Sequence, residues 1–439
     1  MLFSFTTTFL HGIIFYKIGG VMKKFFIALI AFFIVLFGAY FGYKNYQKKQ
    51  KMETAEIEKK QLDNVLSKYS KIAKTNKDAT LYAKDNNDYV TVGSLSKNYP
   101  LNLTEEKFNK DTKYFNIANT EYYVSINDVE KLDSLNEYST RYKSYIPFDQ
   151  NIETKDTVTF TDEFDNKITL NKSFELPIII KEDDKYGVEL YDHIYYVDKS
   201  DVANVINHVN SNAKKKDKIL TLTYHFLYDK ETDKCNQGIC QELGQFESHL
   251  KYMKENNFLT ITLDEMDLFL DGKINLPYNS VAITIDDGTI FNTKAIKLLE
   301  KYDAQATLFV ITGWVTNLER FSSKNLKLES HTDKMHNQYE CKGMGLQGGG
   351  ILCKDEEYVL NDLKTCQEKL GGSKYFAYPF FDVNDRAIAL LKKAGYKLAF
   401  VGQANTNGFA TPNKTNKYKV PRKTVFSFTT MNDIKKLLS

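Results

Sequence analysis

The residues after Asn210 alternate between short apolar runs and amphipathic segments, and this alternation limits the fold more than any other feature of the chain. Strand-like runs are predicted at 218–224, 281–285, 307–311, 326–329, 375–378 and 397–401. Helical patterns lie between most of them, at 245–256, 293–302, 356–370 and 385–394. Strands that alternate with helices form a parallel sheet, either open or closed into a barrel. The C-terminal half is therefore predicted to be an α/β domain.

Polar side chains follow the predicted strands at the point where each one ends. His225 follows the first strand, Asp286 and Asp287 follow the second, and His331 and His336 follow the fourth. In parallel α/β folds, chemistry collects at the C-terminal ends of the strands. Each residue alone is weak evidence, but their shared edge predicts one site.

Two histidines and two aspartates at one edge are the components of metal-assisted hydrolysis. His331, His336 and one carboxylate would form a site with two nitrogen ligands, one oxygen ligand and open positions. A divalent ion there lowers the pKa of bound water and polarises an amide carbonyl. The second carboxylate can serve as general base. The pattern thus predicts hydrolysis of an amide or ester.

Four motifs together resemble the NodB-homology polysaccharide deacetylases, carbohydrate esterase family four. They are Thr-Ile-Asp-Asp-Gly at 284–288, Ala-Thr-Leu-Phe-Val at 306–310, the segment 330–336, and Phe-Ala-Tyr-Pro at 376–379. The resemblance covers residues 218–439 and implies a distorted (β/α) barrel. It implies the following roles: Asp286 as general base; Asp287, His331 and His336 as ligands of Zn²⁺, Co²⁺ or a similar ion; the Phe380 N–H as oxyanion donor; and Tyr378 and Pro379 as substrate contacts.

The sequence departs from the family pattern in three places. The two histidines are five residues apart, a spacing similar to the poly-N-acetylglucosamine deacetylase branch. Ala377 occupies the position of the family's usual arginine, so the partner of the base aspartate is expected to be missing. No histidine follows His336, so we take His225 as the candidate general acid. The alternative for His225 is a structural imidazole that orients Asp286 or Asp287.

The N-terminal region contains a predicted transmembrane helix. Residues 25–43 carry no charge, follow Lys23 and Lys24, and are long enough to span a bilayer. No cleavage pattern follows them, so 22–43 is interpreted as an uncleaved signal anchor with the C-terminal part outside the cell. Residues 1–21 are interpreted as a mis-called start, with translation beginning at Met22. Residues 44–75 are predicted to be a helical stalk.

The region between the stalk and the α/β domain is predicted to hold two small β modules, at 76–135 and 145–207. A nine-residue segment at 121–129 recurs at 194–202, 73 residues later. The arrangement resembles tandem Src-homology-3-like barrels, which implies contact with the cell wall or a role as a spacer. The tyrosines of the repeat are interpreted mainly as packing residues.

Charge and cysteine content narrow the function further. Lys and Arg number 59 against 56 Asp and Glu, so nothing indicates the basic surface that nucleic-acid binding requires. The five cysteines allow two disulfides, Cys235–Cys240 and Cys341–Cys353, with Cys366 left over; reduced, partly buried thiols are the alternative.

These observations predict a single-pass cell-membrane enzyme whose catalytic domain lies outside the cytoplasm. Its expected substrate is a cell-surface polymer of N-acetylglucosamine, either peptidoglycan or a related polysaccharide, from which it removes N-acetyl groups. Two alternatives stay open. One is a glycan-binding or scaffold protein with a decayed catalytic domain, and the other is an O-acetyl esterase on the same fold.

Overall fold

The N-terminal helix α1 spans Gly20–Lys68 without a break in a computed structural model that describes residues 20–68, 71–104, 113–208, 213–402 and 407–439. No proline interrupts these residues. The part Ile27–Ile57 is long and apolar enough to cross a membrane, and its apolar side chains are exposed. The predicted mis-called start lies almost wholly outside the described residues, since only 20 and 21 are described.

The last part of the predicted stalk is wrong, because Ile72–Thr75 is a strand rather than a helix. This strand pairs with a neighbour on each side, at Pro100–Asn102 and at Val129–Lys131. Pairing at both edges satisfies its backbone groups and overrides the helical spacing of its apolar residues.

The chain divides into two compact units. The first comprises residues up to 90 together with 97–135, and the second comprises 91–96 together with 136–439. Short strands cover residues 72–131: β1 Ile72–Thr75, β2 Ala79–Asp85, β3 Asp88–Leu95, β4 Pro100–Asn102, β5 Tyr114–Asn116, β6 Tyr122–Ser125 and β7 Val129–Lys131. In the first unit, β1 pairs with β4 and β7, and β6 pairs with β2 and β5, all antiparallel.

The second unit begins with further antiparallel strands. They are β8 Gln150–Thr154, β9 Val158–Thr161, β10 Lys167–Leu170, β11 Glu175–Pro177, β12 Ile180–Lys181, β13 Lys185–Leu190, β14 His193–Asp198 and β15 Val202–Asn207. The recurring segment folds in the same way in both copies. Each copy is a strand, a 3-10 turn and a strand, with turns at Ile126–Asp128 and Lys199–Asp201. The Src-homology-3-like assignment stays a prediction.

A closed barrel of parallel strands forms the C-terminal part of the second unit. Within the described part of 213–439, seven strands form the ring: β16 Ile219–Tyr224, β20 Ser280–Ile285, β21 Ala306–Val310, β22 Leu326–Ser330, β23 Tyr375–Ala377, β24 Leu398–Gly402 and β26 Val420–Thr424. The ring closes where β16 pairs with both β20 and β26. Every residue of β16 and β20 is buried, as expected for strands covered on both faces. The predicted barrel is confirmed.

Helices and short strands complete this part. They are β17 Phe226–Tyr228, β18 Cys240–Glu242, α2 Leu243–Glu255, β19 Leu259–Ile261, α3 Leu263–Leu270, α4 Ala295–Tyr302, α5 Glu356–Lys369, α6 Asp385–Lys393, β25 Phe409–Ala410 and α7 Met431–Leu438. The sequence did not predict β26, because Pro421, Arg422 and Lys423 interrupt its apolar pattern. Both expected disulfides are present, and Cys366 is buried on α5.

The strands β8–β15 pack against the N-terminal end of the barrel. Isolated bridges join Ile146 to Asn275 and Ile180 to Ile274, just before β20 begins. The Arg141 guanidinium donates to both carboxylate oxygens of Glu265 on α3, at 2.8 and 2.5 Å. The opposite, C-terminal end of the barrel is left open for the site.

Candidate active site

A cavity of about 790 Å³ lies at the C-terminal end of the barrel strands. Its lining includes every histidine and aspartate that the sequence analysis assigned to the site: His225, Asp286, Asp287, His331 and His336. Tyr378 and Phe380 also line it, while Pro379 is buried between them. The barrel therefore brings the predicted residues to one place, although their roles stay predictions.

Asp287, His331 and His336 form a candidate metal site. One ligand atom from each residue lies within 4.8 Å of the other two. Nε2 of His331 and Nε2 of His336 both lie 3.5 Å from Oδ1 of Asp287. Two imidazole nitrogens and one carboxylate oxygen facing a cavity fit a divalent ion that keeps open positions.

The backbone after β20 turns sharply enough to aim the two aspartates in different directions. Asp287 and Gly288 both have positive φ, 78° and 75°. A side chain at Gly288 would meet Cγ1 of Val310 at 3.0 Å, so glycine suits this position. The left-handed pair bends the chain immediately after the buried strand, and Asp287 is thereby turned toward the histidines.

The hydrogen bonds of His331 leave its Nε2 free for a metal ion. Nδ1 of His331 lies 2.7 Å from the carbonyl oxygen of Ala377, which can only accept a hydrogen bond. Nδ1 therefore carries the proton, and the lone pair of Nε2 faces Asp287. Ala377 thus supports the site through its backbone.

The electrostatics keep the cluster in the form that binds metal. Burial alone would raise the pKa of Asp287, but His331 above all, together with the other nearby imidazoles, lowers it to about 2. Burial, together with His331, lowers the pKa of His336 to about 4. At neutral pH the cluster therefore offers an ionised carboxylate and, at His336, a neutral imidazole.

Asp286 is held by an arginine that the sequence analysis missed. Nη1 and Nη2 of Arg422 donate to Oδ1 and Oδ2 of Asp286 at 2.7 and 2.8 Å, and both side chains are at most 1% exposed. Burial would raise the pKa of Asp286, but chiefly the charge of Arg422 holds it below the usual value. The expectation that Asp286 lacks a partner is therefore wrong, because strand β26 supplies the arginine that position 377 lacks.

A signal for Arg422 exists in the composition. Only four of the 59 basic residues are arginines: Arg141, Arg320, Arg386 and Arg422. Arginine binds a carboxylate with two parallel hydrogen bonds, which lysine cannot do. In so lysine-rich a chain, an isolated arginine between Val420 and Thr424 indicates such a pair.

His225 lies beside Asp286 but is not hydrogen-bonded to it. Its Nε2 is 3.8 Å from Oδ2 of Asp286, beyond hydrogen-bond distance. Its Nδ1 is buried and has no hydrogen-bond partner among the described residues. Burial lowers the pKa of His225, so the imidazole is neutral at neutral pH. Neither of the two interpretations of His225, general acid or orienting group, is decided by this geometry.

The segment after β23 has an unusual backbone. Phe380 and Phe381 both have positive φ, 57° and 61°, which is uncommon for bulky residues. The Phe380 ring packs 4.4 Å from the His336 ring. The Tyr378 hydroxyl donates to the carbonyl oxygen of Tyr418 at 3.1 Å, and the Tyr378 side chain is buried. Any contact of Tyr378 with substrate would therefore come from its backbone.

Two buried carboxylates outside the predicted set hold the loops around the cavity. Asp362 on α5 accepts hydrogen bonds from the N–H groups of Asp333 and Lys334, at 2.8 and 2.7 Å. Asp382 accepts from the N–H groups of Leu346, Gln347 and Gly349 in the loop closed by Cys341–Cys353. Nothing in the local sequence distinguishes these aspartates from surface ones.

Comparisons with known proteins identify a family model, curated relatives and solved structures to which this chain is similar. A profile described as polysaccharide deacetylase matches residues 273–399. The poly-β-1,6-N-acetyl-D-glucosamine N-deacetylase of Staphylococcus aureus (strain MRSA252) is 32% identical over 240 residues, which are 47% of this chain and 79% of the relative. One similar solved structure is IcaB from Ammonifex degensii, with 21% identity and a TM-score of 0.42; the match covers 51% of this chain and 97% of IcaB. Another is BC0361, a polysaccharide deacetylase from Bacillus cereus, with 17% identity and a TM-score of 0.42; the match covers 83% of this chain and 100% of BC0361.

Proposed function

Because this chain belongs to the polysaccharide deacetylase family, we propose that it hydrolyses the N-acetyl groups of N-acetylglucosamine units in a cell-surface polysaccharide. The products are acetate and a glycan that carries free amines. One observation carries the proposal: an ionised, buried carboxylate, Asp286, stands beside the Asp287–His331–His336 cluster in a single cavity.

The preferred substrate is a β-1,6-linked polymer of N-acetylglucosamine. The relative from Staphylococcus aureus is named for this substrate, and the chain covers 79% of that relative. The five-residue spacing of His331 and His336 supports the same choice. No specific observation favours peptidoglycan, and the assay described below includes it as an alternative substrate.

Asp287, His331 and His336 would hold the metal ion, with Zn²⁺ or Co²⁺ matching their ligand types. When bound, such an ion polarises an amide carbonyl and lowers the pKa of a water molecule. Asp286 then takes the proton of the attacking water on a carboxylate oxygen, while Arg422 keeps the carboxylate in place. The paired arginine also lets this buried carboxylate stay ionised at neutral pH.

The leaving amine needs a proton, and His225 is the nearest candidate to supply it. The ring is neutral at rest, so it must gain a proton before it can give one up. Oδ2 of Asp286, 3.8 Å from Nε2 of His225, is the adjacent source once Asp286 has become protonated. The N–H of Phe380 donates to the oxygen that becomes negative during attack.

The arrangement disfavours the scaffold alternative. A decayed domain would be expected to lose ligand or base positions, whereas Asp286, Asp287, His331 and His336 all remain. Arg422 also keeps Asp286 ionised, which is a costly arrangement to retain without a use. The O-acetyl esterase alternative differs only in the bond that is cut and is separated by assay.

The test is acetate release by residues 71–439 loaded with Zn²⁺ or Co²⁺. We expect release, with matching free amines, from β-1,6-linked N-acetylglucosamine oligomers. Asp286→Asn should lower the rate by roughly 10²–10⁴-fold, whereas Asp385→Asn, a loss of the same charge at an exposed position, should not. Acetate release from peptidoglycan alone would show that peptidoglycan is the substrate. Acetate release from O-acetylated glycan alone would show that the protein is an O-acetyl esterase. No release from any of them would support the scaffold reading.

We also propose that α1 anchors the protein in the cell membrane with the barrel outside. The exposed apolar part of the helix needs a bilayer or another apolar environment. A cell-surface polysaccharide lies on the outer side, and the two disulfides suit an oxidising compartment.

A further inference from the structure

Trp314 is a large, exposed aromatic side chain on the wall of the active-site cavity. It is the only tryptophan in the chain and is 56% exposed. It lies just after β21, outside the four motifs that carry the family resemblance. An aromatic side chain exposed on a cavity wall offers a flat apolar surface to a ligand.

The backbone around Trp314 is tied to the loop that carries the metal-site histidines. The N–H groups of Thr312 and Gly313 donate to the carbonyl oxygens of Thr332 and Asp333, at 3.1 and 2.9 Å. A side chain at Gly313 would lie 2.3 Å from the Asp333 oxygen, so only glycine allows this approach. Trp314 is therefore held in a fixed position relative to His331 and His336.

The indole contacts the metal site itself. Its ring centroid lies 5.1 Å from that of His336 at an interplanar angle of 72°, while Phe380 packs 4.4 Å from the same imidazole. The indole thus contacts a proposed metal ligand while more than half of its own surface stays uncovered. The C–H face of a pyranose is apolar and matches an aromatic surface.

We propose that Trp314 is a substrate-binding residue that stacks on the pyranose ring whose acetamido group is cleaved. This inference rests on the proposed function and adds the residue that recognises the sugar. Stacking fixes the ring on the cavity wall, so the acetamido group reaches Asp286 and the metal site in one orientation. Trp314 would thus make the enzyme prefer glycan substrates to small acetyl compounds.

The kinetic test compares Trp314→Ala and Trp314→Phe in the full chain loaded with Zn²⁺. On β-1,6-linked N-acetylglucosamine oligomers, Trp314→Ala should lower kcat/KM roughly 10- to 100-fold, mainly through KM, and Trp314→Phe should restore most of it. A small aryl acetate has no pyranose to stack, so its hydrolysis should fall far less. Equal losses on both substrates, or none on the glycan, would overturn the proposal.

A binding test separates this proposal from the proposed function. Because Trp314 is the only tryptophan, tryptophan fluorescence reports on this position alone. In the Asp286→Asn background, which should consume substrate roughly 10²–10⁴-fold more slowly, added oligomer should change the tryptophan emission until the signal saturates. Zinc content of Trp314→Ala, measured in parallel, should equal that of the parent, which excludes damage to His336. Activity on the oligomer without any fluorescence response would leave the deacetylase intact and reject the stacking role. No activity on any glycan would instead reject the proposed function.

Discussion

At the scale of single residues, the two adjacent aspartates have different surroundings. Asp286 has both oxygens bonded to Arg422, whereas Asp287 faces two imidazoles. The left-handed turn at Asp287 and Gly288 creates the difference, because it rotates one carboxylate away from the other. The two carboxylates are chemically identical, but their surroundings suit Asp286 to act as a base and Asp287 to bind a metal ion.

Exchanging each aspartate for asparagine should give different failures. Asp287→Asn removes the anionic ligand, so metal affinity should fall at least roughly 10- to 100-fold, the range seen even for groups that only support a ligand. Asp286→Asn should leave the metal bound while kcat drops roughly 10²–10⁴-fold. Metal content and kcat measured on both variants check this. Equal metal loss in both would contradict the assignment of roles.

Replacing Arg422 should alter both stability and pH dependence. Arg422→Met leaves a buried, unpaired carboxylate and should cost about 3–5 kcal/mol of unfolding free energy. In the unaltered chain, the lowered pKa of Asp286 adds stability above about pH 4, which is lost as the pH falls through the folded-state pKa. Without Arg422 that pKa rises, because burial remains and the main opposing charge is gone.

The base is then protonated at a higher pH, so the acid limb of the kcat/KM profile should move upward. The matched control is Lys423→Met, the next residue of the same strand. An acid limb that stays in place in Arg422→Met would show that Asp286 is not the titrating base.

Sequence reasoning located the residues of the site that belong to local motifs. Asp286, Asp287, His331 and His336 could be predicted because strand ends and short spacings place them. Arg422 is 136 residues from its partner, and Asp362 and Asp382 bond only to backbone groups. The importance of these residues comes from tertiary contacts; the rarity of arginine is a signal for Arg422, but no local pattern marks Asp362 or Asp382.

At the scale of elements, helix α5 determines the shape of the loop between the two histidines. The Asp362 carboxylate accepts hydrogen bonds from the N–H groups of Asp333 and Lys334, and Asp362 is only 6% exposed. Thr332 has a φ of 79°, so the loop turns sharply directly after His331. Asp362 compensates the backbone groups that this turn leaves without partners.

Asp362→Asn should therefore weaken metal binding without removing a ligand. We expect metal affinity to fall roughly tenfold, the lower end of the effect of groups that orient ligands. Glu357→Gln, an exposed change on the same helix, should leave metal affinity unaltered. Competition with a chelator measures both variants. Unchanged affinity in Asp362→Asn would show that the loop keeps its shape without the buried carboxylate.

The predicted and missed elements differ in how they bury apolar surface. Strands with continuous apolar runs, such as Ile219–Tyr224 and Ser280–Ile285, could be predicted because both faces are covered. Val420–Thr424 could not, because its central inward-facing residue is a charged one that becomes acceptable only beside Asp286. Helix Leu263–Leu270 was missed because it is short and adjoins a strand.

At the scale of the whole molecule, the barrel and the strands β8–β15 share one hydrophobic cluster. Tyr142, Ile179 and Ile194 pack with Met266 and Phe269 of the barrel. The boundary predicted at residue 218 therefore passes through packed side chains, and we infer that the barrel depends on the preceding strands.

A fragment of residues 218–439 should be less stable than one of residues 71–439. The shorter fragment would expose the apolar side chains of the shared cluster to water and would lose the ion pair between Arg141 and Glu265. Arg141→Ala in the longer fragment should give part of the same loss. Thermal unfolding measures all three, and equal melting temperatures for the two fragments would contradict the dependence.

The anchor has a separate test. The full chain should fractionate with membranes, and protease added outside intact cells should digest the barrel. A chain without residues 22–43 should instead be recovered in solution. Finding a secreted form of the natural protein that lacks these residues would show that the segment is cleaved.

Arg422 lies on the strand that closes the barrel, so Asp286 is synthesised well before its partner. Synthesis at 5–20 residues per second places Arg422 roughly ten seconds behind Asp286. A chain that ends before residue 420 contains Asp287, His331 and His336 but lacks the arginine that pairs with Asp286. In such a chain Asp286 would lack the charge that chiefly lowers its pKa, so less of the base would be ionised at a given pH. We therefore expect full activity only after β26 has paired with β16 and β24 and closed the ring.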